Sequence, residues 1–313
     1  MRRAIDGRGR AGGLERVLVA LSLLVGFSTP GSASAAESPS LHATVRYTTP
    51  GSREVWISGW VQHVRRDSLD LVRRLPSVAR VAWLEAHLPS EIHMLYPRRA
   101  RPETYRLPVP RHTPLAWVYD VELADAQAVQ EALPFVVGPD YVCLWLGSVL
   151  ALPRGTHSQG DPEAAVDPES IALGASLPEA WALLGPWPRG GKGFRPRSVD
   201  TLADNFMAFG AWRVQERLVR DAGAQAQACT LVVAVAGSLR VTDSEWMDLV
   251  AERLEGEVAA RCHGRALVFV APASRKPVWF VAAASHLLLW PAQADCPEPQ
   301  ELRGLLTRVA GPG

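Results

Sequence analysis

The stretch L-A-W-V-Y-D-V-E-L, residues 115–123, alternates strictly between two kinds of side chain and decides the first prediction of the fold. Its odd-numbered positions are large and apolar, namely Leu115, Trp117, Tyr119, Val121 and Leu123. A period of two is the pattern of a β-strand with one buried face. Asp120 and Glu122 lie on the opposite face, which indicates that this side of the sheet meets solvent.

The sequence around this strand predicts an N-terminal module over residues 37–152. The turn signal Pro50-Gly51-Ser52 separates two apolar runs, 41–49 and 54–62, which are typical of paired strands. Asp67 is placed to cap a short helix whose apolar residues recur at helical spacing. The module's other elements are predicted strands at 78–84 and 142–152 and a predicted helix at 125–133.

Residues 153–198 are punctuated by Pro and Gly and are predicted to form an ordered connector. The C-terminal module, 199–313, opens with apolar residues at helical spacing, which predict a helix over 199–221. The remaining elements are predicted strands at 230–236, 266–271 and 278–290 and predicted helices at 242–260 and 300–309.

These elements together predict an α+β or α/β protein built from two small modules, each a short sheet backed by helices. Val55-Trp56-Ile57-Ser58-Gly59 and Val233-Ala234-Val235-Ala236-Gly237 each precede a capped-helix pattern and another apolar strand. The similarity raises the hypothesis of a diverged internal duplication of a β-α-β unit. The alternative is that any two such units look alike, since a repeat is normally judged on three or more copies.

The N-terminal residues 1–36 predict a secretory signal peptide. A basic start precedes the apolar run 17–27, which is too short to span a bilayer. Ala33-Ser34-Ala35 supplies small residues where a signal peptidase cleaves, so cleavage is expected after Ala35 or Ala36. The protein is therefore expected to be periplasmic or secreted.

The charge and apolar composition of the chain restrict the classes of partner that we expect. The chain has 33 basic and 32 acidic residues, and removing the Arg-rich signal leaves it slightly acidic. We therefore expect no nucleic-acid partner, and no second apolar run predicts a membrane span in the mature chain. Lys192 and Lys276 are the only lysines, a bias typical of a GC-rich bacterial genome.

The four cysteines fit an oxidising compartment, in which disulfides are the default. The candidates are Cys143, Cys229, Cys262 and Cys296. We expect one bridge, which joins Cys262 to either Cys229 or Cys296. No metal site is predicted, because the close cysteine pairs of zinc sites are missing and His87 and His93 around Glu91 fit a surface turn. No cofactor is expected either.

Two sets of residues are weak catalytic candidates. Ser238 follows a predicted strand and precedes a predicted helix, as a hydrolase nucleophile does, but the second glycine of the Gly-x-Ser-x-Gly pattern is absent. Asp120 and Glu122 could act as a carboxylate pair, although a solvated strand face has the same pattern.

Two other sets are candidates for binding. Trp56 and Trp60 lie on one face of a predicted strand and could stack a sugar, or they could fill the core. Arg98, Arg99 and Arg101 form a basic segment that could meet an acidic partner, or they could be a solvated loop.

No coherent catalytic set emerges from these residues. The main hypothesis is therefore an exported, non-catalytic accessory or assembly protein of the bacterial envelope that binds another envelope protein. The alternative is an exported envelope hydrolase, which would need Ser238 or the Asp120 and Glu122 pair. A second alternative is a glycan- or ligand-binding protein that uses Trp56 and Trp60.

Overall fold

The computed structural model describes residues 41–62, 64, 66–74, 79–97, 103–124, 133–154, 171–190, 193–220, 228–237, 264–273 and 278–291. Of these residues, 62% lie in β-strands that form several sheets, and two short helices accompany them. The prediction of an α+β or α/β protein with sheets backed by helices is therefore wrong. Described side chains are buried mainly between one sheet and another.

The first half of the described chain contributes eleven strands and one helix. In chain order they are β1 (Leu41–Arg46), β2 (Glu54–Val61), β3 (Ser68–Arg73), β4 (Ala79–Arg80), β5 (Leu84–His87), β6 (Ile92–Leu95), β7 (Glu103–Pro108), β8 (Leu115–Leu123), β9 (Phe135–Val137), β10 (Tyr141–Trp145), α1 (Leu146–Val149) and β11 (Leu152–Pro153).

The second half adds ten strands and one helix. These are β12 (Ile171–Ser176), β13 (Ala182–Leu184), β14 (Arg189–Gly190), β15 (Gly193–Phe194), α2 (Val199–Ala203), β16 (Phe206–Gly210), β17 (Trp212–Arg220), β18 (Ala228–Ala236), β19 (Arg265–Ala273), β20 (Val278–Val281) and β21 (Ser285–Pro291).

A nine-stranded sheet forms the largest layer, in the order β14-β15-β12-β1-β2-β8-β5-β6 with β4 beside β8. β1 and β2 are antiparallel and are joined by a tight turn, in which Ser52 N–H donates to Thr49 O over 3.0 Å. Gly51 has a φ of +75° in this turn, a conformation that glycine adopts without strain. β12 comes from the Pro- and Gly-rich region 153–198 and pairs in parallel with β1.

Three smaller sheets contain the other described strands. One has the order β11-β3-β7, and a second has the order β13-β16-β10-β9. The third has five strands in the order β17-β18-β19-β21-β20, of which β18, β19 and β21 are parallel. Both faces of these parallel strands are buried: Val232 and Val233, which point to opposite faces, are 0% and 2% exposed.

The four-stranded sheet lies between two hydrophobic cores. On β16, Met207 and Phe209 belong to the core shared with the nine-stranded sheet. Phe206 and Ala208 belong to a second core, shared with Phe269 and other residues of the five-stranded sheet. Because alternate residues point to opposite faces, one short strand connects the two cores.

The predicted helix at 67–75 is wrong, because residues 68–73 form β3. Leu69, Leu71 and Arg73 are buried while the residues between them are partly exposed. This alternation has the period of a strand. The third buried residue of this strand is Arg73, and arginine is normally expected at the surface. The strand period was therefore not visible in the pattern of apolar residues.

The predicted helix at 199–221 is also wrong beyond its first turn. Ser198 caps α2, and its Oγ accepts from the Thr201 N–H over 3.0 Å. The chain then extends into β16 and β17, and Gly210 between them has a φ of +115°. A Cβ atom at position 210 would lie 2.3 Å from the Asp140 carbonyl oxygen, so this bend needs glycine.

The hypothesis of an internal duplication is wrong, because it depended on the predicted helix that follows Asp67. Its N-terminal copy required a helix between two strands, and β3 occupies that place. Apart from its last residue, Leu133, the predicted helix at 125–133 lies outside the described residues, as do the predicted helices at 242–260 and 300–309 and the predicted signal peptide at 1–36. No helix in the described ranges is long and apolar enough to cross a membrane.

Candidate functional site

Asp120 and Glu122 lie on the outer face of β8, as the alternation predicts. Asp120 is half-buried opposite Trp56 of β2, and Glu122 is exposed between Glu54 of β2 and Arg80 of β4. Glu122 is therefore open to solvent rather than part of an enclosed substrate site. On the same face of β8, Ala116 and Val118 are buried, so only the end of this face that carries Glu122 is solvated.

Trp56 and Trp60 share one face of β2, but they differ in exposure. Trp60 is only 5% exposed, whereas Trp56 is half-buried with the Arg46 guanidinium 5.8 Å from its ring centroid. A sugar stacks on an open aromatic face. The two indoles therefore do not form an exposed platform, and the glycan-binding alternative loses the feature on which it depended.

Several predicted site residues lie outside the described ranges: Ser238, Arg98, Arg99, Arg101, Cys262 and Cys296. Of the other two cysteines, Cys143 is a free thiol, and its complete burial raises its pKa well above the ordinary value. Cys229 is buried in β18. Which cysteines pair remains a prediction.

Arg73 and Glu103 form a buried ion pair that the sequence analysis missed. Arg73 is 0% exposed, and its Nε donates to Glu103 Oε2 over 2.7 Å. Its Nη1 donates to the Ser148 carbonyl oxygen of α1 over 3.0 Å, and the Tyr105 hydroxyl donates to Glu103 Oε2 over 2.9 Å. The partners are thirty residues or more from Arg73, so no local pattern could reveal them.

Tyr119 extends this polar cluster on the core face of β8. Its hydroxyl donates to the Val149 carbonyl oxygen over 2.8 Å and accepts from the Ala151 N–H over 2.6 Å. Burial raises the pKa of Tyr119 and of Tyr105 far above the ordinary value, and the Glu103 carboxylate raises that of Tyr105 further. Because a substrate could not reach these groups, we assign them a structural role, in which they hold β3, β7 and α1 together.

Asn205 joins the four-stranded sheet to the five-stranded sheet. Its side-chain oxygen accepts from the Ala284 N–H over 2.8 Å and from Ser285 Oγ over 3.0 Å. Its nitrogen donates to the Thr201 carbonyl oxygen over 2.6 Å, and Ser285 Oγ accepts from the Phe206 N–H over 2.6 Å. This network also has the character of a structural joint, because Asn205 is 1% exposed.

A cavity of about 310 Å³ among the described residues is large enough to hold a small molecule. It lies between the segment that carries β13, β14 and β15 and the beginnings of β18 and β19. Its wall includes Leu183, Trp187, Arg189, Phe194, Thr230 and Arg265. Its volume is at the lower end of the range of roughly 300–1,000 Å³ that is usual for ligand pockets.

The fold is similar to that of one solved aminopeptidase N family protein. It matches the crystal structure of an aminopeptidase N family protein from Idiomarina loihiensis with a TM-score of 0.60 over 84% of this chain, at 13% sequence identity. The match spans 45% of the length of that protein. A lower TM-score of 0.46 relates it to an M1 zinc metallopeptidase mutant from Deinococcus radiodurans, at 11% identity over 85% of this chain and 62% of that chain.

No protein-family model matches the sequence, and no curated protein matches it either. The likeness therefore defines a fold of the kind found in aminopeptidase N family proteins, and at this identity it does not define an activity.

The described histidines and acids do not assemble a metal site. His87 lies 3.3 Å from Glu85 and His93 lies 3.2 Å from Glu91, as two separate pairs. Within the described ranges, no group of three or more His, Cys, Asp or Glu side chains could hold a metal ion. The sequence also lacks the His-Glu-x-x-His pattern of zinc peptidases.

Proposed function

We propose that this chain serves peptide hydrolysis in the bacterial envelope, as a β-structured part that binds and positions a peptide. It keeps the envelope hydrolysis of the alternative hypothesis, but it differs from that hypothesis by assigning peptide binding, and not bond cleavage, to the described residues. The observation that supports it is the likeness to the Idiomarina aminopeptidase N family protein at a TM-score of 0.60 over 84% of this chain.

The division between binding and chemistry follows from the side chains. Glu122 is exposed, the Arg73 and Glu103 pair is sealed from substrate, and the described acids and histidines form no metal-binding group. A peptidase needs an activated nucleophile or a metal-bound water. We therefore place substrate contacts, rather than bond cleavage, in the described part of the chain.

A deletion strain of the source organism tests this role. Periplasmic extracts of the parent and of the deletion strain are compared for the hydrolysis of an unstructured fluorogenic peptide. Removal of the chain should slow hydrolysis several-fold, and the wild-type chain supplied in trans should restore it. Equal hydrolysis in the two extracts would contradict the proposal.

Two variants separate the binding role from a catalytic one. The chain carrying Ser238→Ala, and the chain carrying Asp120→Asn with Glu122→Gln, should restore hydrolysis as well as the wild type. Loss of restoration by either folded variant would move the chemistry into this chain. The fold of each variant is checked by circular dichroism and by its thermal midpoint.

A further inference from the structure

The cavity between β13–β15 and the five-stranded sheet combines an apolar wall with a cationic one. The apolar side consists of Leu183, Trp187 and Phe194, which are 8%, 6% and 3% exposed overall. The rings of Trp187 and Phe194 lie 5.8 Å apart at 57°. A Cβ atom at Gly185 would lie 2.8 Å from the Phe194 ring, so the absence of a side chain at residue 185 allows the ring to pack against the backbone there.

Arg189 supplies one cation and is held in place by two contacts. Its Nη2 donates to the Leu183 carbonyl oxygen over 2.9 Å, and its guanidinium carbon lies 5.9 Å from the Phe194 ring centroid. A guanidinium that is fixed over an aromatic ring keeps its remaining N–H groups in a defined direction. An anion in the cavity therefore meets a preorganised donor.

Arg265 supplies a second cation from the start of β19. Its Nη2 donates to Glu216 Oε1 over 2.8 Å, while its Nε is buried and has no hydrogen-bond partner. The Arg265 side chain as a whole is 37% exposed and lines the cavity, so its positive charge is accessible to a ligand there. Among the described residues that line the cavity, none is acidic, so its charged groups all have the same sign.

From these features we infer that the cavity binds a small carboxylate that carries an apolar or aromatic group, such as the C-terminal residue of a peptide. The carboxylate accepts hydrogen bonds from the two guanidinium groups, a pairing for which arginine geometry is well suited. The apolar group packs on Trp187 and Phe194. Phosphate matches the charge but not the apolar wall. The inference does not depend on the proposed role in peptide hydrolysis.

Binding is measured by isothermal titration of the full chain with N-acetyl-L-phenylalanine. The uncharged N-acetyl-L-phenylalanine amide tests the carboxylate, N-acetylglycine tests the aromatic group, and inorganic phosphate tests the charge alone. We expect saturable binding of the first compound and at least tenfold weaker binding of the other three. Raising the NaCl concentration should weaken binding of the carboxylate but not of the amide.

Arg189→Gln and Arg265→Gln identify the site. Each should weaken binding of N-acetyl-L-phenylalanine at least tenfold without a large change in thermal midpoint, because both side chains lie at the cavity's solvent-accessible side. Arg111→Gln is the matched control, since Arg111 pairs with Asp67 over 3.1 Å on the surface and does not line the cavity.

Three results would overturn the inference: no saturable binding by the wild type, unchanged affinity in both cavity variants, or binding of phosphate as tight as that of the carboxylate. The outcome is separable from the peptidase role. Cavity binding without any effect of the chain on peptide hydrolysis would reject the proposed function and keep the binding site.

Discussion

The indole ring of Trp117 on β8 packs directly on Gly59, its register partner on β2. A Cβ atom at position 59 would lie 2.1 Å from the indole Cε2 and 2.2 Å from Cζ2. Trp117 is 1% exposed and lies in the main core, so its ring has no free direction in which to move. Residue 59 has no side chain, and the Trp117 ring therefore occupies the space that a side chain there would fill.

Gly59→Ala should destabilise the protein strongly, because the added methyl group must displace a ring that the core holds on every side. Overpacking of this kind costs about 1–3 kcal/mol, and we expect the upper end or failure to fold. Urea unfolding followed by tryptophan fluorescence measures the change. Gly237→Ala is the control, since its Cβ would meet ordinary contacts at 3.5 Å and should change stability by about 0.5 kcal/mol or less. Equal stabilities of the two variants would contradict the packing argument.

The strand at 115–123 was predictable because its own alternation contains the whole signal. β8 has the predicted bounds, and β2 matches the predicted run 54–62 to within one residue. The contact between Gly59 and Trp117 was not predictable, since it depends on register across the sheet. Sequence patterns therefore identified these strands but not why residue 59 must be glycine.

β3 and β16 show where local patterns fail. In β3 the third buried residue is Arg73, whose charge is compensated by Glu103 from β7, far along the chain. In β16 the apolar residues are buried on both faces by two different sheets, so Phe206 and Phe209 fit a helical spacing equally well. The cavity escaped prediction for the same reason, because Arg189 and Arg265 are brought together by tertiary structure alone.

The buried pair of Arg73 and Glu103 predicts a strong dependence of stability on both partners. Arg73→Met leaves Glu103 without its cation, and breaking a buried ion pair costs about 3–5 kcal/mol. Adding Glu103→Gln to Arg73→Met should recover part of this loss, because the uncompensated charge is removed. Chemical unfolding of the four members of the double-mutant cycle gives the coupling energy. Arg111→Ala at the exposed pair with Asp67 should cost about 1 kcal/mol or less, and a similar cost for Arg73→Met would reject the assignment.

Tyr119 predicts a loss of stability in alkaline solution. Burial raises the pKa of its hydroxyl above the ordinary value near 10, so the folded state keeps a proton that the unfolded state releases. The contribution is complete below about pH 10, and it decreases as the pH rises above that value toward the folded-state pKa. Tyr119→Phe should be less stable at pH 8, because the Ala151 N–H loses its acceptor, but should lose less stability between pH 9 and 11 than the wild type.

Urea unfolding at several pH values measures these two slopes. Tyr96→Phe serves as the control, since Tyr96 is 68% exposed, and its slope should match that of the wild type. The slope of Tyr119→Phe should be reduced rather than abolished, because burial raises the pKa of Tyr105 and Tyr47 as well. Identical slopes for Tyr119→Phe and the wild type would show that this hydroxyl does not stay protonated on folding.

The predicted export has a chemical consequence for the cysteines. If the signal peptide is cleaved after Ala35 or Ala36 and the chain enters an oxidising compartment, the mature N-terminus should be Ala36 or Glu37, and Cys262 should be linked to Cys229 or Cys296. Intact-mass and non-reducing peptide mapping of the protein from the envelope measure both. Cys143 should react with a thiol reagent only after unfolding, because it is a free thiol that the core buries completely. An intact Met1 with four free thiols would contradict the export.

Asn205 should control whether the two cores unfold together. Its oxygen is the acceptor for both the Ala284 N–H and Ser285 Oγ, and Ser285 in turn accepts from the Phe206 N–H. Asn205→Ala leaves the Ala284 N–H and Ser285 Oγ without this acceptor, which should cost about 2–6 kcal/mol at about 1–3 kcal/mol for each buried group. Asn205→Asp keeps the acceptor but loses the donor to the Thr201 carbonyl oxygen and adds a buried charge, so it should not rescue the fold.

Hydrogen exchange distinguishes the loss of the contact between the four- and five-stranded sheets from a general loss of stability. In Asn205→Ala, the amides of Phe206 and Ala284 and of β20 and β21 should exchange faster, while those of β2 and β8 keep their protection. This result is expected because the network spans the four- and five-stranded sheets and does not touch the nine-stranded one. Uniform acceleration in all sheets would instead mean that the described sheets unfold as one cooperative unit, with Asn205 contributing only to its total stability.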